Sequence, residues 1–271
     1  MHCPMANPLE SALPFVAALA LCVLRWLPTV LLVPVFAAHA LSTTARTVIA
    51  IALALPATQG VLTVLAQAPL PLGEWLGIAA KEAVIGVLLA ALIAAPFWAI
   101  QAAGTYLDYQ RGGNPQALDP AASVDASVLG AMLQQALVVF LMHTGGLAAL
   151  FEIIWTSYAV WPILDRRAPL GDRAWSSMGA LLVSTMHFSL SLAFPYLLAL
   201  GAIEACFAIV SRVNAKFPAY VAALPIKSVF LLVLVALTLP RVLGAAGRLA
   251  EQHALDVQQW MRESARSDHE Q

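Results

Sequence analysis

Charge is scarce in this sequence. Asp, Glu, Lys and Arg make up 11% of its 271 residues, against about 25% in soluble domains. No charged side chain occurs between Ala83 and Leu107 or between Ala174 and Ile203. Each run exceeds the roughly 20 apolar residues that a helix needs to cross the hydrocarbon layer of a bilayer. This shortage excludes an ordinary soluble domain and predicts a membrane protein.

Basic blocks and catalytic motifs are missing as well. The net charge is −1, which argues against nucleic acid and leaves protein and lipid as the expected partners. The three cysteines, Cys3, Cys22 and Cys206, are spaced too widely for a metal-ligand pattern and are expected to pack as small apolar side chains. There is no Gly-rich phosphate loop followed by Lys and no GxSxG turn. We therefore expect no metal, no cofactor and no enzymatic activity.

Apolar residues predominate in the chain. They make up 61% of the chain, and the mean hydropathy is +0.82. Charges and prolines divide them into six segments, which predict an all-α membrane protein of about six long helices forming hairpins. The segments lie near residues 11 to 38, 47 to 69, 74 to 107, 124 to 164, 174 to 210 and 217 to 244.

Proline is frequent inside these segments. Each proline removes a backbone donor and clashes with the preceding turn, so kinked helices are predicted. The carbonyls freed by such kinks need partners from neighbouring helices or water, which favours tight packing against other protein. Small residues from Gly86 to Pro96 and at Gly145 and Gly146 would permit close backbone approach. The prolines concerned are Pro28, Pro34, Pro56, Pro96, Pro195 and Pro225.

The C-terminal part of the chain regains ordinary charge density. Ala250, Ala254, Val257 and Met261 follow one another at spacings of four and three, which predicts one apolar face of a helix. The sequence therefore predicts a membrane-embedded or pore-forming domain over residues 1–244 and an amphipathic, polar tail over residues 245–271.

A few charged residues interrupt the apolar segments. In hydrocarbon an ionisable group is costly, so each is a candidate functional residue. Glu152 and Glu204 could form a proton relay, as in a proton-coupled secondary transporter of a small solute. Neither lies in a broken-helix pattern of the kind that transporters use, so buried ion pairs or contacts with other subunits are the favoured interpretation. The full set is Arg25, Lys81, Glu82, Glu152, Glu204 and Lys227.

The longest polar connection runs from Asp108 to Asp125 and reads DYQRGGNPQALDPAASVD. Its paired glycines permit sharp turns, and its Asn-Pro and Asp-Pro pairs oppose helix continuation. Irregular backbone is tolerated at membrane depth only where it is buried in protein or lines an aqueous path. The residues alone leave two alternatives, a pore plug and an ordinary aqueous loop.

The stretch AGTYLDYQRGGNPQALDP (Ala103 to Pro120), followed by SYAVWPI (Ser157 to Ile163), resembles the T subunit of the type III secretion export apparatus. This is the SctT family, related to the flagellar protein FliR. The resemblance extends over nearly the whole chain. Further positions that carry it are Arg25, Pro34 to Phe36, Arg46, Pro195, Ser211-Arg212 and Leu224 to Ser228. One departure is NAKFPAY, where Pro218 replaces the usual Asn.

The resemblance implies a single copy of this chain in a pore of the bacterial inner membrane. Its partners would be several R- and S-type membrane subunits, a U-type switch protein, lipid and the unfolded polypeptides that are exported, and an injection system used in virulence is expected. The segment from Tyr106 to Val124 would be the plug that closes the gate. The implied plug residues are Tyr106, Asp108, Gln110, Arg111, Gly112, Gly113, Asn114, Pro115, Asp119 and Pro120. The implied subunit contacts or buried charges are Arg25, Arg46, Glu152, Glu204, Arg212 and Lys227.

Overall fold

The computed structural model describes residues 8–37, 41–65, 71–112, 127–165, 172–213 and 218–269. These residues form seven α-helices and a single 3₁₀ turn, with no strand among them. The helices are α1 (Pro8–Leu32), α2 (Thr43–Leu65), α3 (Leu72–Gln110), α4 (Val128–Thr144), α5 (Gly146–Val160), α6 (Asp172–Val213) and α7 (Ala219–His269).

Five of these helices, α1, α2, α3, α6 and α7, are long and apolar enough to cross a bilayer, and α4 with α5 would supply a sixth span as a broken pair. Helix α1 packs against α2, as expected of a hairpin. The prediction of an all-α membrane protein with about six long helices is confirmed. Helices α3, α6 and α7 contain 39, 42 and 51 residues, far more than the roughly 20 that a bilayer requires.

Two predicted segments have different limits in the structure. Residues 124 to 164 were expected to be continuous, but the helix breaks at Gly145, whose φ of +82° is a left-handed conformation that glycine adopts without a steric penalty. Pro34 was expected inside a helix. Helix α1 instead ends at Leu32, and Pro34 begins a 3₁₀ turn over Pro34–Phe36, a position where its missing N–H costs no helical hydrogen bond.

Helix α6 is longer at both ends than the predicted segment 174 to 210. It begins at Asp172 and ends at Val213, so residues that were expected in loops are helical. The departure at Pro218 lies directly before α7, and the carbonyl of Pro218 accepts a hydrogen bond from the amide of Ala222 at 3.1 Å. Proline is compatible with the start of a helix because its missing N–H is not needed there.

The described residues form two compact units. The first comprises those within Met1–Ala94, Ala148–Leu181 and His253–Gln271, and the second those within Ala95–Leu147 and Leu182–Gln252. In the most apolar 18 residues of α3, 67% are buried, whereas only 17% and 22% are buried in the most apolar 18 residues of α6 and α7. In these stretches α6 and α7 therefore leave most of their apolar side chains unburied.

Small residues let α3 approach α1 closely. A Cβ added to Gly86 would lie 2.8 Å from the carbonyl oxygen of Arg25 and 2.9 Å from that of Leu24. Ala90 and Ala94, further along the same helix, are fully buried. The prediction of close backbone contact in this run is confirmed at Gly86.

The predicted tail is the continuous end of α7. Its four face residues, Ala250, Ala254, Val257 and Met261, are all buried, which confirms the apolar face. Trp260 meets Trp161 edge to face, with ring centroids 5.6 Å apart. This face is therefore covered by protein of the same chain. The division between residues 244 and 245 remains a prediction about where the membrane ends.

The proline in the middle of α3 frees a carbonyl that another helix satisfies. Pro96 has no N–H, so the carbonyl of Leu92 lacks its helical partner. Nε2 of the buried His253 lies 2.8 Å from that oxygen. Since a carbonyl oxygen only accepts, Nε2 carries the hydrogen and donates it. A freed carbonyl with a partner in another helix was predicted, and it is confirmed here.

Replacing His253 with leucine should lower the free energy of unfolding by about 1–3 kcal/mol, the usual cost of an unsatisfied buried carbonyl. In a Pro96→Ala background the N–H of residue 96 can bond Leu92, so the same substitution should cost much less. Denaturant unfolding of the two single variants and the double variant, in detergent, measures this coupling. Equal costs of His253→Leu in both backgrounds would contradict the assignment.

Candidate functional site

The candidate site lies in the second unit, where α3 ends and α4 begins. Asp108 is buried in the last turns of α3. Its Oδ2 accepts hydrogen bonds from Oγ of Ser127 at 2.7 Å and from the amide of Leu129 at 2.9 Å. Its Oδ1 pairs with Nη2 of Arg111 at 2.8 Å. One carboxylate therefore joins the end of α3 to the start of α4, and bonds to an ionised acceptor are the stronger kind.

Two further contacts hold the helices together at this point. The hydroxyl of Ser127 caps α4 by accepting a hydrogen bond from the amide of Gly130 at 2.9 Å. A Cβ on Gly104 would lie 2.5 Å from Cα of Gly130, so the two backbones touch where neither residue has a side chain. We call Gly104, Asp108, Arg111, Ser127 and Gly130 the loop base.

The loop base sets the ends of segment 113–126, which lies outside the described residues. Gly112 precedes the segment and Ser127 follows it. Gly112 has a φ of +87°, a left-handed conformation that favours glycine. Both ends are thus attached to two helices that are fastened to each other.

A second polar group adjoins the loop base. Nζ of Lys227 lies 2.7 Å from Oε2 of Glu204 and 3.4 Å from the carbonyl oxygen of Gln110. Nε2 of Gln110 also donates to Oε2 of Glu204, at 3.4 Å. These contacts join the end of α3 to α6 and α7.

The structure describes only some of the predicted plug residues. Tyr106, Asp108 and Gln110 lie in α3, so the expectation of irregular backbone after Leu107 is wrong for residues 108 to 110. The amide of Arg111 still donates to the carbonyl of Leu107 at 3.1 Å, and α3 ends before the left-handed Gly112. Tyr106 is 44% exposed, whereas Asp108 is 4% exposed. The other predicted plug residues, Gly113, Asn114, Pro115, Asp119 and Pro120, lie outside the described residues.

The first unit holds a separate buried charge cluster around Arg25, which is fully buried. Its Nε donates to Oε2 of Glu82 at 2.7 Å, and its Nη atoms donate to Oγ of Ser157 and the carbonyl of Trp161, each at 3.0 Å. The guanidinium carbon lies 4.4 Å from the ring centroid of Tyr158, a cation–π contact. Arg25 thereby joins α1, α3 and the end of α5.

Lys81 extends this cluster. Its Nζ lies 3.1 Å from Oε1 of Glu82 and donates to the carbonyls of Pro162, Ile163 and Asp165 at 3.2, 2.8 and 2.6 Å. Two cations thus share one carboxylate, and carbonyl dipoles beyond the C-terminus of α5 supply the remaining negative potential. We call Arg25, Lys81, Glu82, Ser157 and Tyr158 the buried charge cluster.

The remaining predicted charges are not buried. Glu152 and Arg212 are exposed, and Arg46 is half-buried, with its Nε lacking a hydrogen-bond partner in the part of the chain that the structure describes. Cys206 is also exposed, so the expectation of packing holds only for Cys22. Cys3 lies outside the described residues. Within the described ranges, no three His, Cys, Asp or Glu side chains are close enough to hold a metal ion.

Several residues that build these clusters were not singled out by their sequence pattern. Ser127 could have been recognised as an N-cap, since it directly precedes an apolar helix. The contact between Gly104 and Gly130 had no signal, because the sequence does not state which helices meet. Tyr158 and Ser157 were noted only within the SYAVWPI stretch.

Comparison with known proteins adds an independent result. The family model of bacterial export proteins, family 1, matches residues 16–253. The chain is 28% identical over 149 residues to the Yop proteins translocation protein T of Yersinia pestis and 30% identical over 149 residues to the surface presentation of antigens protein SpaR of Shigella sonnei. Each match covers 55% of this chain and 57% of the relative.

A third similar protein is the secretion system apparatus protein SsaT of Salmonella typhimurium. It is 24% identical over 172 residues, which cover 63% of this chain and 66% of the relative. The chain therefore spans little more than half the length of the first two relatives.

Proposed function

This chain belongs to family 1 of the bacterial export proteins, and on that premise we propose that it is a pore and gate subunit of a type III protein secretion export apparatus. The family match over residues 16–253 confirms the resemblance drawn from the residues. The relatives are named for translocation and for a secretion apparatus, which supports an export role. An inner-membrane location in bacteria follows from this proposal.

The loop base is the observation that best supports a gate in this part of the protein. A segment that closes a pore by steric block must move aside when a polypeptide passes and must return afterwards. Asp108, Ser127 and the contact between Gly104 and Gly130 hold its two ends at fixed points on two joined helices. Residues 113–126 would then serve as the plug, with fixed ends and no covalent chemistry.

The outer surface supports the proposed partners. Helices α6 and α7 carry many exposed large apolar side chains, which suit contact with lipid and with R- and S-type subunits. Glu152 and Arg212 are exposed on apolar helices. Because a charge is costly in hydrocarbon, these two positions suit polar groups of another subunit, including the U-type switch protein. Examples of the apolar side chains are Phe194, Leu198, Ile209, Val229, Val233 and Leu237.

The export role is favoured over the transporter interpretation. A proton relay through Glu152 and Glu204 would suit a small-solute transporter, but the family is one of export proteins, and Glu204 is paired with Lys227. We propose that the chain acts without catalysis, as a structural component through which substrate polypeptide moves.

Deleting Gly112 to Pro115 tests the gate. The shortened segment should no longer fill the pore, so the assembled export complex should conduct ions in planar lipid bilayers in the absence of substrate, whereas the unmodified complex should be closed. Deletion of residues 166–169, four residues between the predicted segments 124 to 164 and 174 to 210, serves as the matched control. A closed pore in the Gly112 to Pro115 deletion, with the complex fully assembled, would contradict the plug.

A further inference from the structure

Helix α7 contacts the end of α3 at two neighbouring positions. Nζ of Lys227 reaches the carbonyl oxygen of Gln110, the last residue of α3. Leu224, one turn earlier in α7, lies so close to Gly112 that a Cβ on Gly112 would overlap its side chain. Both contacts fall on the last three residues before segment 113–126.

The contact with Gln110 has a specific physical role. The last carbonyls of a helix have no intrahelical partner, and a cation near them is favourable because the helix dipole is negative at that end. The Lys227 side chain is 3% exposed, so it forms this contact out of water. A buried ammonium needs a counter-ion, and Oε2 of Glu204 supplies one at 2.7 Å.

We propose that Lys227 is a positioning residue that keeps the gate closed by holding the end of α3, with Glu204 as its counter-ion. We call Gln110, Glu204 and Lys227 the latch. This inference rests on the proposed gate function and adds the contact that holds the closed state. Movement of this part of α7 away from the end of α3 would leave the Gln110 carbonyl without its cation and would also separate Leu224 from Gly112.

The latch differs from the loop base in how it can open. The contacts of Asp108 are buried, and they join the two helices that flank the segment. Glu204 is 49% exposed, although its partner Lys227 is not. The contact of Lys227 with Glu204 can thus be weakened from the exposed carboxylate without disturbing the packed interior.

The test uses the assembled export complex in planar lipid bilayers, without substrate. Lys227→Met removes the charge-assisted contacts, worth about 1.5–3 kcal/mol, so the open fraction should rise roughly tenfold to a hundredfold. Glu204→Gln should give a smaller rise in the same direction, because a neutral amide still accepts from Lys227. Lys227→Arg retains the cation and should remain closed. Glu251→Gln, at an exposed glutamate of α7, is the matched control and should also remain closed.

Assembly is checked by co-purification of the membrane subunits. If Lys227→Met does not assemble, the conductance of the Glu204→Gln complex is the deciding measurement. A closed pore in Glu204→Gln and in any assembled Lys227→Met complex would overturn the latch, as would equal conductance of the Met and Arg variants. The deletion of Gly112 to Pro115 separates the two proposals. If that deletion conducts while the latch variants stay closed, only the latch fails, whereas a closed deletion variant removes the gate itself.

Discussion

Replacing Arg25 with methionine is expected to lower the free energy of unfolding by about 3–5 kcal/mol, because it leaves a buried carboxylate without its main partner. Glu82 would keep only Lys81, whose Nζ lies 3.1 Å from the other carboxylate oxygen. Ser157 and the carbonyl of Trp161 would each lose a charged hydrogen-bond partner. The hydrogen bonds that join α1, α3 and the end of α5 through this residue would be lost together.

Two further variants separate charge from geometry. Arg25→Lys keeps the charge but cannot donate in three directions from a planar group, so it should recover little of the stability. The double variant Arg25→Met with Glu82→Gln removes the unpaired charge and should recover a large part. Arg241→Met, at an exposed position of α7, serves as the control and should change stability by no more than about 0.5 kcal/mol.

Denaturant unfolding in detergent, followed by the yield of assembled export complex, measures the effect. If the double variant is as unstable as Arg25→Met alone, the unpaired carboxylate is not the cause. If Arg25→Met is as stable as the unmodified chain, the buried charge cluster has no stabilising role.

Asp108→Ala should have the second large effect, a loss of about 3–5 kcal/mol, since two hydrogen bonds to a buried carboxylate contribute roughly 1.5–3 kcal/mol each. The amide of Leu129 would lose its acceptor at 2.9 Å, and Arg111 would lose its ion pair. Asp108→Asn keeps one acceptor oxygen, so it should cost less. Its amide group, however, cannot pair with the guanidinium.

The consequence for the gate can be measured separately from stability. Release of Ser127 from Asp108 frees the point where segment 113–126 returns to α4, so Asp108→Ala complexes that assemble should conduct ions without substrate. Asp256→Ala removes an exposed aspartate of α7 and should leave both stability and conductance unchanged. An Asp108→Ala complex that is stable and closed would show that the loop base does not hold the segment.

Much of the fold could be predicted because apolar runs and periodicity are local properties of the chain. The charge-free stretch from Ala83 to Leu107 corresponds to the interior of α3. The spacing of Ala250, Ala254, Val257 and Met261 predicted a face that is buried. In both cases the residues that decide the structure lie within a few turns of one another.

Helix ends were predicted less well, because polar residues can be satisfied inside a helix when another element supplies a partner. Asp108 was expected to end α3, yet its carboxylate bonds Ser127 and Leu129 of the next helix. At Gly145 a continuous apolar segment was predicted, but the helix ends there because this glycine has a left-handed conformation. Hydropathy does not report backbone φ.

The order of residues was enough to establish a helical membrane protein, the family it resembles and the short set of charged side chains in its apolar helices. Each of these depends on composition, on spacing within a few turns or on motifs that are read directly along the chain. Tertiary packing determined the partners of those charges: Arg25 with Glu82, 57 positions apart in the chain, and Lys227 with Glu204, 23 apart. A buried charge must be neutralised wherever the fold brings an opposite group, and that choice is made by helix packing rather than by neighbours in sequence.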